Sequence, residues 1–151
     1  MGVTKSLMQK LTGQRVYFDT NPIIYFINQT EGYFDVCLAL FQGIEDDLFN
    51  ACSGELCLAE LLVQPLRAND PIPVRNIKGL FDDGFFQLLP HHRAVLELAA
   101  EIRATQNLKM IDAVHAATAI HHHCACIITG DKGVARKLKG TEVVALNAYV
   151  P

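Results

Sequence analysis

Short apolar runs and longer amphipathic stretches alternate along the chain. Val16, Tyr17 and Phe18 read as a buried strand over about residues 15–18, and a helix follows over about residues 21–29. FDVCLALFQGIEDDLF carries its apolar residues at helical spacing, with Asp35 in position to cap it. A short strand is expected near residues 49–53, then a helix over LAELLVQPL that Pro65 should kink or end. NDPIPVRN reads as a turn leading into another helix through Phe81, and FFQLLP as a short strand. HRAVLELAAEIRATQ is the clearest amphipathic helix. IDAVHAATAIHHH is an alanine-rich helix whose small side chains allow close approach to a sheet or a neighbouring helix. CIIT, GVARKLKG and EVVAL complete the pattern as strand, short basic helix and strand.

Strands alternating with helices predict an α/β fold, a central, mostly parallel β-sheet flanked by helices. The 151 residues show no internal repeat and no shift in composition, so one domain is expected. Half the residues are hydrophobic and 19% are charged, which excludes a disordered chain. The net charge of −3 provides no general attraction to polyanions, so nucleic acid would require a local basic patch. Residues 113–130 lack formal charge, but this stretch contains His115 and three consecutive histidines and is not a membrane segment. MGVTKSLMQKLTGQR has no apolar run of signal-peptide length. The five cysteines are an odd number without a scaffold spacing. Together these features predict a cytoplasmic protein with reduced, mostly buried thiols.

Four carboxylates stand in apolar surroundings. Asp19 directly follows the first strand, and Asp131 follows CIIT through Thr129 and Gly130. In open α/β sheets ligands gather beyond the carboxyl ends of strands, so two neighbouring strands would aim both acids into one crevice. Either aspartate alone is a good turn or cap residue. Glu60 lies between leucines in CLAELLV, where the plain reading is the polar stripe of an apolar helix. Asp112 opens the alanine-rich helix, where capping accounts for it without excluding a second role. If the four converge, two unit charges at 4 Å repel by about 4 kcal/mol at an effective dielectric of 20. Such a pocket must hold protons or a cation, and an all-oxygen donor set selects Mg²⁺ or Mn²⁺ over zinc.

YFDTN, LCLAELLVQP, LKMIDAVHAATAI and IITGDK occur in an order and spacing that resemble the PIN-domain family, most closely the VapC-type toxin nucleases. The resemblance implies a single PIN-like domain over residues 15–151, with residues 1–14 as an extension. It further implies a metal-dependent endoribonuclease, the toxin of a toxin–antitoxin pair, in which Asp19, Glu60, Asp112 and Asp131 are the catalytic acids. These would hold Mg²⁺ or Mn²⁺, with Asn21 and Thr129 in support. A metal-activated water would attack the phosphate in line, leaving a 5′-phosphate and a 3′-hydroxyl. A homodimer and an antitoxin partner belong to the same expectation. Gly130 departs from the pattern, since a larger residue is common at that position. The alternative is a non-catalytic PIN-fold module that binds RNA or protein.

Lys132, Arg136, Lys137 and Lys139 cluster just after Asp131, either as a solvated helix face or as cations that hold an RNA backbone. HHHCAC suggests zinc, yet consecutive helical residues point about 100° apart and cannot all meet one ion. His115 shares a helix face with Asp112, where it either binds phosphate, shuttles a proton or packs beside the crevice. Tyr25, Phe26 and Tyr33 fall on apolar faces and read as core rather than base-stacking platforms.

Overall fold

Strand β1 (Arg15–Phe18) takes the centre of the sheet because both of its faces can be covered: Val16, Tyr17 and Phe18 are fully buried. The computed structural model describes residues 2–151 and places β2 (Asn50–Gly54) and β4 (Cys126–Thr129) on either side of β1. Strands β3 (Gln87–Leu89) and β5 (Glu142–Ala145) form the edges. The order is β3-β2-β1-β4-β5 and every pairing is parallel, so the expected α/β architecture is present with a wholly parallel sheet.

Parallel neighbours need crossovers, which the helices supply. One face of the sheet carries α1 (Gly2–Leu11), α2 (Thr20–Ile27), α3 (Phe34–Glu45), α4 (Glu55–Arg67) and α5 (Pro71–Asp82), around a core that includes Phe18, Ile23, Leu40, Phe41 and Phe86. The other face packs α6 (Arg93–Gln106) and α7 (Met110–His121) over Tyr17 and Ile127. Ala113, Ala116, Ala117 and Ala119 of α7 are all fully buried there, as their small size predicts. Helix α8 (Lys132–Lys137) bridges β4 and β5.

Four local features differ from the sequence expectations, the first being Asp35, which lies inside the first turn of α3 while Tyr33 is its N-cap. Helix α1 was not anticipated, yet Leu7 and Leu11 lie one turn apart and are each 1% exposed in the core. NDPIPVRN is not a turn leading into a helix. The helix begins on Pro71, which has no N–H to lose at that position, and Asp70 caps it by accepting from the Ile72 N–H at 3.2 Å. Helix α7 starts at Met110 with Lys109 as its N-cap, so Asp112 lies inside the first turn and does not cap it.

Pro65 sits in the last turn of α4, which ends two residues later. All five cysteines are free and buried. Among the described residues no helix is long and apolar enough to cross a membrane.

Candidate active site

Strands β1 and β4 run in register, Phe18 opposite Ile128, and the Asp19 N–H continues the ladder by donating to the Ile128 carbonyl at 2.9 Å. The residues immediately beyond both strands therefore meet. Asp19 is 6% exposed and caps α2: its Oδ1 accepts from the Thr20 N–H at 2.8 Å. Its Oδ2 accepts from the Thr129 hydroxyl at 2.8 Å. Asn21 Oδ1 accepts from the Gly130 N–H at 2.8 Å, a second tie between the two strand ends. Asp131 caps α8, and both backbone donors, from Gly133 at 2.7 Å and Val134 at 3.1 Å, use the same oxygen, Oδ1. Capping thus explains both aspartates, and the pairing of β1 with β4 places them at adjacent strand ends.

Glu60 does not belong to a solvated stripe. Its Oε1 accepts from the Thr20 hydroxyl at 2.7 Å and faces His115 Nε2 at 2.7 Å. Burial would raise the Glu60 pKa, but the hydrogen bonds from His115 and Thr20 outweigh it and hold the group below the usual carboxylate range. For His115 burial would lower the pKa, and Glu60, Asp19 and Asp112 together overcome that and raise it. The neighbouring acids thus favour the protonated form of the buried imidazole.

Asp112 makes no capping hydrogen bond. Burial, followed by the negative charges of Asp19 and Asp131, pushes its pKa up to about 6.

Two partners in this network escaped the sequence reading. The Tyr17 hydroxyl lies 2.6 Å from His115 Nδ1. His91 accepts from the Leu56 N–H at 2.9 Å, supplying at the start of α4 the side-chain acceptor that Gly54 lacks. Gly54 was the available signal. A Cβ at that position would meet His91 at 2.3 Å and the Tyr17 hydroxyl at 2.6 Å, so the strand-to-helix junction admits only glycine. Gly130 has a similar cause. A Cβ there would meet the Tyr25 ring at 2.6 Å, and that ring packs tilted at 30° against Tyr33 with centroids 4.6 Å apart. Tyr25 fills the space of the larger residue common at that position.

Lys132 and Arg136 are exposed beside Asp131, whereas Lys137 reaches back to donate to the Asn107 carbonyl at 3.3 Å. In the histidine run, His121 ends α7, His122 caps it and His123 turns the chain away at φ 58°. Among the described residues no group of three or more His, Cys, Asp or Glu side chains is drawn together tightly enough to hold an ion as it stands. The donor chemistry nevertheless fits a hard divalent cation. Asp131 keeps Oδ2 clear of its cap, Asp112 makes no cap bond, and all the candidate donors are carboxylate oxygens.

A family model for the PIN domain matches residues 16–139. The chain belongs to the PIN domain family. Solved structures with this fold include VapBC-1 from nontypeable Haemophilus influenzae, at TM-score 0.69 and 15% identity over 88% of this chain and 98% of that one. VapBC2 from Rickettsia felis, bound to a DNA fragment from its promoter, aligns at TM-score 0.68 and 13% identity over 87% and 98%. A toxin–antitoxin complex from Klebsiella pneumoniae aligns at TM-score 0.65 and 20% identity over 87% and 97%. At these identities the likeness is one of fold. No curated protein matches the chain in sequence. The PIN domain model spans all four acids, Asp19 through Asp131.

Proposed function

We propose that this PIN domain is a Mg²⁺- or Mn²⁺-dependent endoribonuclease, the toxin of a toxin–antitoxin pair, with Asp19, Glu60, Asp112 and Asp131 as its metal-binding acids. The observation that carries the reading is geometric: β1 and β4 pair side by side, the Thr129 hydroxyl donates to Asp19 Oδ2 at 2.8 Å, and Asp131 follows two residues later, so two of the acids stand at adjacent strand ends. A bound divalent ion supplies an activated water and positive charge against the phosphodiester.

The chain's own residues prepare that chemistry. Thr129 and the Thr20 N–H fix both oxygens of Asp19, so the acid is oriented before any ion arrives. Asn21 and Thr129 brace the ends of β1 and β4 against each other. Asp112 offers a carboxylate with no capping duty, and Asp131 offers Oδ2. Lys132 and Arg136 hold the RNA backbone beside the acids, with Lys137 contributing weaker attraction from its tether on Asn107. The antitoxin partner and a homodimeric state are proposed with the toxin reading, and the fold shared with the VapBC complexes supports the former.

The test is cleavage of structured and unstructured RNAs with Mn²⁺, Mg²⁺ or EDTA, by the unaltered protein and by Asp19→Asn. Metal-dependent cleavage lost in the variant supports the mechanism, and equal activity in the two proteins rejects it. Saturable Mn²⁺ binding without turnover on any RNA would favour the non-catalytic interaction module instead. A small protein copurifying with the chain would identify the antitoxin.

A further inference from the structure

We infer that His115 and Tyr17 are positioning residues that aim the Glu60 carboxylate at the metal site, an inference that rests on the nuclease reading above. Their side chains are 1% and 0% exposed, so neither can touch RNA. This removes direct phosphate binding by His115 and leaves a means of acting on the site through Glu60. An ionised carboxylate can only accept hydrogen bonds, so the Nε2 facing Glu60 Oε1 at 2.7 Å carries the hydrogen. The Thr20 hydroxyl donates to the same oxygen at 2.7 Å. With two donors on Oε1, Oε2 is the oxygen left for the crevice.

The second ring nitrogen fixes the rotation of the imidazole. Nδ1 lies 2.6 Å from the Tyr17 hydroxyl, and the rings meet edge-on at 63°. Gly54 leaves room for that hydroxyl. The chain Tyr17–His115–Glu60 thus joins β1, α7 and α4. His115 also lies one turn after Asp112 on α7, so its bond to Glu60 sets how the acid of α4 stands relative to the acid of α7. Buried partners that orient metal ligands typically change metal affinity by 10–100-fold when removed.

The test is calorimetric Mn²⁺ titration of the full chain, unaltered and as His115→Ala, His115→Gln and Tyr17→Phe, with folding checked by circular dichroism. His115→Ala is expected to weaken Mn²⁺ binding about 10–100-fold. His115→Gln retains an N–H donor and is expected to recover most of that loss, which a purely space-filling role for His115 does not predict. A folded His115→Ala that binds as the unaltered protein does, or a Gln variant as weak as Ala, overturns the inference. If His115→Ala does not fold, Tyr17→Phe decides: weakened binding supports the inference and unchanged affinity overturns it. Absence of saturable Mn²⁺ binding in the unaltered protein would instead overturn the nuclease reading itself.

Discussion

Tyr17 and Phe18 are adjacent on one strand and equally buried, yet they enter two kinds of interior. Phe18 faces aromatic neighbours, Phe86 at 5.1 Å edge-on and Phe49 stacked at 6.3 Å between centroids. Tyr17 faces the alanine-rich side, where its hydroxyl reaches His115. The first interior is held by large apolar surfaces in contact. The second uses small side chains, and the close approach they permit brings a helix near enough for polar groups on β1, α4 and α7 to bond one another. One face of the sheet supplies stability, and the other trades part of its apolar burial for a positioned polar network.

The largest effect expected from breaking this contrast is in the aromatic face. Phe18→Ala should cost about 3–5 kcal/mol in urea unfolding, because a buried ring leaves a cavity. Overfilling the opposite face should cost less: Ala117→Leu, at a position with no exposure, is expected to lose about 1–3 kcal/mol by the same measurement.

Asp112→Asn should act in the opposite direction. Its folded pKa of about 6 lies above the ordinary 3.8, so the native state binds the proton more tightly and loses stability as pH rises from 3.8 through 6. The asparagine variant, freed of that loss, should be more stable than the unaltered protein at pH 7 in EDTA. After discounting for its half exposure, the gain is on the order of 1 kcal/mol, and it should vanish below pH 4. Thermal unfolding at the two pH values reads both. The smallest effect belongs to Arg93→Ala on the outer surface of α6, where an exposed pair with Glu97 contributes at most about 0.5 kcal/mol.

How much of this was legible depended on whether the signal was local. The ends of β1 and β4 announced themselves, because each is an apolar run followed at once by a polar turn with an aspartate. Helix α1 is also encoded locally, by Leu7 and Leu11 at i,i+4 spacing, but the polar residues around them dilute the signal. Glu60 was misleading taken alone, since its partners Thr20 and His115 lie 40 and 55 residues away and local periodicity carries no trace of such contacts. The start of α7 is hard to place from sequence because Lys109 is an unusual cap and Asp112, three positions on, is the better capping residue by type. The Tyr17–His115 bond spans 98 residues and was invisible until the sheet order brought the two together.

The hydrogen bond between Thr129 and Asp19 closes a sequence gap of 110 residues. At typical synthesis rates roughly 5–22 s separate the emergence of its two ends from the ribosome. Throughout that interval the first acid exists without the strand that must stand beside it. Translation order therefore acts as a built-in delay: the two strand ends that carry Asp19 and Thr129 cannot be joined before β4 has been made.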